Sequence, residues 1–139
     1  MAQFSASSKE KLATCCKELQ DTANLAIKII DFGISEGHRG EALQNKAYAE
    51  NKSKVRFPNS KHNKKPSAAF DAFPAPLDWN DPQRFILLAG VIIASGAVLG
   101  HDIRWGGDWN ENGIIKDESF RDLPHFEYKG PLKTPVFPL

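Results

Sequence analysis

The sequence predicts one α+β domain in which a small, mainly antiparallel sheet is flanked by helices. Three observations lead there. A stripe of apolar residues at helical spacing fills the N-terminal part. An uncharged run follows an Asp-Pro start at residue 81, and four short segments carry apolar and polar residues in the alternation that strands require. With 139 residues the chain can build one core but not two, so the domain is expected to span 1–139, with 131–139 a poorly ordered, Pro-rich tail.

The elements follow in order. Ser7 and Glu10 stand at capping-box spacing, and Leu12, Cys15 or Cys16, Leu19, Ala23, Ile27 and Ile30 continue one helical stripe, which predicts an amphipathic helix over 8–29. Phe32 and Ile34 alternate with polar neighbours in a short strand over 31–36, and Gly37-His38-Arg39-Gly40 turns the chain into a short helix over 41–50. Residues 52–66 are polar, basic and broken by Pro58 and Pro66, hence a loop. Ala68 to Phe73 reads as a second strand.

Asp81-Pro82 is a helix start, with Pro at the first helical position, and Phe85 to Gly100 holds no charge over 16 residues. A membrane span usually needs about 20 apolar residues. This shorter run contains three Gly and a Ser and predicts a buried core helix rather than membrane insertion. Gly100 closes it, Ile103 to Trp105 makes a third strand, 106–110 a loop, and His125 to Tyr128 a last strand.

Composition narrows the function. The chain is 41% hydrophobic and 25% charged, which fits a globular protein, and its net charge of +1 offers no field for a nucleic-acid partner. The average hides a basic stretch. Lys46, Lys52, Lys54, Arg56, Lys61, Lys64 and Lys65 face the single acid Glu50 between residues 46 and 65, either as a solvated surface or as weak attraction for a polyanionic substrate. Cys15 and Cys16 are adjacent, which gives neither metal spacing nor an ordinary bridge, and suits a reducing cytoplasm at synthesis. Met1 to Glu10 lacks the pattern of a secretory signal.

The chemistry lies in residues whose polarity does not suit their setting. Asp71 interrupts an apolar strand and shares a face with Ala69 and Phe73, an expensive place for a carboxylate unless a positive group meets it. His125 and Glu127 share one face of the last strand, and His62 lies in the loop just before the Asp71 strand. Two imidazoles and a carboxylate leave a tetrahedral zinc ion one open position, which is the composition of a hydrolytic site.

Ser60-Lys61-His62, Ala69-Phe70-Asp71 and Asp122-Leu123-Pro124-His125-Phe126-Glu127, in that order, resemble the signature of the zinc D-alanyl-D-alanine carboxypeptidase superfamily, and most closely its phage L-alanyl-D-glutamate peptidase branch. Glu36-Gly37-His38-Arg39 resembles the segment carrying that family's substrate arginine, and Arg104-Trp105-Gly106-Gly107-Asp108-Trp109 its glycine-containing loop. The similarity covers most of the chain, from about Leu12 to Glu127. Two departures stand out: the interval from His62 to Asp71 is longer than usual, with Ser67 at an expected Gly position, and the acid before the last ligand is Asp122 where many relatives have Glu.

The resemblance implies Zn2+ held by His62, Asp71 and His125, Asp122 as general base, and Arg39 facing the scissile carbonyl or a substrate carboxylate. Glu127 would orient a ligand, Ser60 belongs to the same motif, and Asp108 either lines the cleft or closes a turn. It further implies a hedgehog-like fold with the zinc cleft on one sheet face, and hydrolysis of peptidoglycan stem peptides by a monomeric phage endolysin. That enzyme would be made in the host bacterial cytoplasm and act on the wall after release. The alternatives are a D-alanyl-D-alanine carboxypeptidase using the same residues and a non-catalytic zinc-binding module.

Overall fold

The structure, a computed structural model, describes residues 2–131. The expectation for the tail falls almost wholly on residues 132–139 and lies outside the described residues. The elements run α1 (Ala6–Leu12), α2 (Lys17–Ala26), β1 (Phe32–Glu36), α3 (Glu41–Ala49), β2 (Ala69–Pro74), α4 (Pro82–Leu99), β3 (His101–Gly106) and β4 (Asp122–Pro131). A 3-10 turn at Lys61–Asn63 lies between α3 and β2.

The four strands form one sheet in the order β1-β2-β4-β3, antiparallel at every pairing. The period of two then divides the molecule. Ile34, Phe70, Ala72, Ile103, Trp105 and Phe126 are buried in the core with Leu19, Leu88 and Ile92 from the helices. Burial of each such large side chain stabilises the fold by about 1.5–3 kcal/mol. α1 packs on β1, α4 on β3, and α2 against α4. The alternate residues Asp71, Arg104, His125 and Glu127 go to the other face.

Three elements differ from the sequence expectation. The helix expected over 8–29 is two helices, because residues 13–16 are drawn to the segment before β2. The Thr14 carbonyl accepts the Ser67 N–H at 2.9 Å, and the Cys16 N–H donates to the Ser67 carbonyl at 2.8 Å. The apolar spacing survives the break because a tight turn keeps Leu12, Cys15, Leu19 and Ala23 directed at one core. No Ser7–Glu10 capping box forms; Ser5 caps α1, its hydroxyl accepting the Ser8 N–H at 3.1 Å.

α4 starts at Pro82 and stops at Gly100, whose φ of 80° provides the left-handed cap, as the sequence predicts. It is a core helix on one side only: Phe85, Leu88, Ala89 and Ile92 are buried, while Ile86, Leu87 and Ile93 are exposed. By length and composition α4 would suit a membrane span, yet here it packs on α2 and β3.

The last strand is longer than HFEY, running from Asp122 to Pro131. Its pairing with β3 shifts between Trp105, opposite Phe126, and Gly106, opposite Asp122. This bulge turns Asp122 back beside His125.

Candidate active site

Sheet register assembles the site. Asp71 pairs directly with His125, Glu36 with Asp71, and Glu127 with both Ala69 and Arg104, so one sheet face carries these polar side chains in adjoining rows. His62 arrives from outside the sheet. Its 3-10 turn is capped by Ser60, whose hydroxyl accepts the His62 N–H at 3.1 Å, while the Asn63 side chain accepts the Ser60 N–H at 3.0 Å. The Arg39 N–H donates to the His62 carbonyl at 2.8 Å, and Asn63 Nδ2 donates to the Arg39 carbonyl at 2.9 Å. These bonds knit the turn after β1 to the turn before β2. Gly37 is required in that crossing, since a Cβ there would lie 2.4 Å from the Lys11 carbonyl oxygen.

His62, Asp71 and His125 offer ligand atoms that all lie within 4.8 Å of one another. Asp71 Oδ1 is 3.1 Å from His62 Nε2 and 3.5 Å from His125 Nδ1. The far nitrogens fix which atoms are free. A carbonyl only accepts, so His62 Nδ1–H donates to the Gly37 carbonyl at 2.7 Å and leaves Nε2 open. His125 Nε2–H donates to Glu127 Oε1 at 2.9 Å, leaving Nδ1 open. Two imidazole nitrogens and a carboxylate oxygen facing one point, with both rings held from behind, are a donor set that fits a zinc-type cation once the protons the imidazoles share with Asp71 have left.

Electrostatics agree with a site built around positive charge. Burial works to raise the Asp71 carboxyl, but hydrogen bonds from His125 and His62 outweigh it and hold the group well below the usual range. Burial works against a charged His125, yet hydrogen bonding to Asp71 and Glu127 lifts its pKa to about 9. Burial likewise opposes ionised Glu127, whose bonds to His125 and Arg104 pull it down to about 2. Asp122 goes the other way: burial, reinforced by the Asp71 charge, raises it to about 6. The cluster therefore pairs one strongly ionised carboxylate with one whose pKa lies near neutrality.

The remaining expected residues divide. Arg39 is in the site, with Nη2 3.6 Å from Asp71 Oδ2, but its guanidinium is largely committed: Nε and Nη2 donate to Glu36, and Nη1 donates to Gln44 at 3.0 Å. Ser60 is buried as a cap for the His62 turn. Asp108 closes its own loop instead of lining the cleft, its Oδ2 accepting the Gly113 N–H at 2.8 Å. Glu127 touches His125 and also Arg104, at 2.7 Å.

Trp109, from the glycine-containing loop, stands on the cleft wall, 5.4 Å from the His125 ring with the Arg104 guanidinium 5.5 Å from its own centroid, in keeping with its sequence reading as a core or cleft-wall residue. Sequence reasoning missed Gln44. The signal for Gln44 was a polar side chain on the inward face of α3, where it is fully buried.

Above these residues runs an open cleft of two lobes. One, of about 660 Å³, is lined by Glu36, Leu43, Asp71, Trp79 and Pro124 among others; the second, of about 520 Å³, is lined by His62, Trp109, His125 and lysines of the 52–61 segment. Arg39, Lys52, Phe120 and Asp122 border both.

Comparison with known proteins follows the same lines. The family profile described as phage L-alanyl-D-glutamate peptidase matches residues 1–128. The L-alanyl-D-glutamate peptidase of Escherichia phage T5 is 32% identical over 120 residues, covering 84% of this chain and 88% of that one. The crystal structure of the Serratia marcescens L-Ala D-Glu endopeptidase ChiX superposes with a TM-score of 0.73 at 24% identity, over 92% of this chain and 90% of that one, which establishes the shared fold.

Proposed function

The chain belongs to the phage L-alanyl-D-glutamate peptidase family, and on that premise we propose that it is a zinc-dependent endopeptidase cutting peptidoglycan stem peptides between L-Ala and D-Glu. The observation that carries the reading is the convergence of His62, Asp71 and His125 on one point, with the Asp122 carboxyl beside them at the meeting of two cleft lobes. His62 Nε2, Asp71 Oδ1 and His125 Nδ1 would hold the ion. A zinc ion so bound acidifies water and polarises the scissile carbonyl.

The chain's own groups do the rest. Asp122 accepts the proton of the attacking water and returns it to the leaving amine, a task suited to a carboxyl with a pKa of about 6. Glu127 and the Gly37 carbonyl hold the two imidazoles in the tautomers that expose a lone pair to the ion. Arg39, braced by Glu36 and Gln44, supplies fixed positive charge beside the reacting centre. The setting that fits is a phage lysis enzyme, made in the host cell and acting on its wall after release.

Mass spectrometry of purified peptidoglycan, digested with and without chelator and with Asp122→Ala as control, tests this. New D-Glu amino termini that vanish with chelator support the endopeptidase. Release of free D-Ala would point to a carboxypeptidase instead, and no product to a zinc-binding module without catalysis.

A further inference from the structure

Part of the basic stretch noted in the sequence gathers at the cleft: Lys52, Lys54 and Lys61 border its second lobe, while Arg56, Lys64 and Lys65 are exposed and line neither lobe. The two lobes differ in charge. In the first, Glu36, Glu50, Asp71 and Asp122 balance Arg39, Lys46, Lys52 and Arg121. In the second, Arg104 is neutralised by Glu127 and Lys52 by Glu50 at 3.1 Å, whereas Lys54 and Lys61 have no ion-pair partner among the described residues. Lys54 is held at the lobe by its ammonium lying 5.0 Å from the Phe120 ring centroid. Lys61 is half-buried in the same 3-10 turn as His62. Against these stand Glu118, a partly exposed carboxylate on the lobe's edge, and Asp122, which the two lobes share. Arg39, the other cation near the centre, is committed to Glu36 and Gln44.

From this polarity we infer that Lys54 and Lys61 are specificity-determining residues that bind the free α-carboxylate of D-Glu, and that the second lobe takes the amine half of the substrate. The inference rests on the stem-peptide reading above. In such peptides D-Glu continues the chain through its γ-carboxyl, so its α-carboxylate stays free next to the scissile nitrogen. The acyl half, L-Ala on a lactyl ether, carries no charge and suits the first lobe with Leu43, Trp79 and Pro124. Asp122, which borders both lobes, is then beside the nitrogen it must protonate. Amidation of that carboxylate turns an ion-paired contact into a neutral one and weakens recognition.

The test compares two synthetic muramoyl peptides with a carboxamide C-terminus and Lys as third residue. They differ only in having the D-Glu α-carboxylate or its α-carboxamide. The zinc-loaded wild type is expected to prefer the carboxylate by about tenfold or more in kcat/KM, chiefly through KM, with the preference shrinking as salt is added. In the Lys54→Gln/Lys61→Gln double variant the ratio falls towards one; in Lys54→Arg/Lys61→Arg and in Lys28→Gln, outside the cleft, it persists. Equal cleavage of both peptides by the wild type, or an unchanged preference in the Gln double variant, overturns this inference and leaves the endopeptidase standing. Cleavage of neither peptide overturns the parent reading, and this inference with it.

Discussion

Asp71 and His125 stand directly opposite each other across the β2–β4 pairing, with Asp71 Oδ1 3.5 Å from His125 Nδ1. The contact is a consequence of register. A slip of either strand by one residue would send its member of the pair into the core and bring its phenylalanine, Phe70 or Phe126, whose rings are now 5.8 Å apart on the buried face, out to solvent. The cost of exposing those rings protects the geometry of the polar face. The first prediction tests the pair itself. Asp71→Asn should fold, since the apolar face is untouched, but bind zinc far more weakly and lose peptidoglycan hydrolysis. Equilibrium dialysis with metal analysis, beside a melting curve, checks both halves.

His125 predicts a pH dependence for the metal-free protein. Its pKa is raised from 6.5 to about 9, so the folded state holds the proton more tightly than the unfolded chain. That stability is fully present below pH 6.5 and is lost as pH rises through about 9, while the site's carboxylates titrate below this window. Melting temperatures in chelator should fall across it. The same proton must leave before Nδ1 can bind a metal, so zinc uptake at neutral pH should release about one proton. Calorimetry in buffers of different ionisation heat measures that number.

Glu127→Gln removes the charge that orients His125 and pairs with Arg104. Loss of such a partner typically weakens metal affinity or activity by about 10- to 100-fold. Zinc competition assays should show the loss, with Asp122 chemistry unchanged in pH profile.

Asp122→Asn should retain zinc and lower kcat by about 10²- to 10⁴-fold, the usual contribution of a general base. In the wild type, the acidic limb of kcat/KM should have an apparent pKa at or below about 6, because the raised Asp122 value is drawn down once a cation is bound nearby. Steady-state kinetics from pH 4 to 8 would reveal the limb.

Gly106 sets where Asp122 lies. A Cβ at this position would fall 2.2 Å from the Asp122 carbonyl oxygen, a backbone atom that cannot swing away. Gly106→Ala should therefore cost about 1–3 kcal/mol of stability and more activity than zinc affinity, since the bulge moves while the three ligands keep their places. Denaturant melts and zinc titration separate the two effects.

Much of this arrangement was legible in the chain. Asp71 in an apolar strand, and His125 with Glu127 two apart on the last one, announce a polar face because side chains alternate in strands. Pro82 and Gly100 bracket α4 because each constrains the backbone locally. The break between α1 and α2 was hidden, since Ser67 causes it from more than fifty residues away. The exposed side of α4 was hidden too: hydropathy counts apolar residues without regard to whether a neighbour covers Leu87 or Ile93. Gln44 as a holder of Arg39 depends on how α3 docks, whereas Glu36 reaches Arg39 from three residues before it.

The sequence by itself determined the element types and the faces of the strands, because these follow from local backbone preference and from a period of two; the resemblance to the peptidase signature singles out His62, Asp71 and His125 as a set of donors. Only the tertiary structure decided that the three donors meet, that Asp122 is bent back by a bulge, and that Lys54 and Lys61 border one lobe of the cleft. Such distances arise from packing between segments far apart in the chain, and no local pattern encodes them.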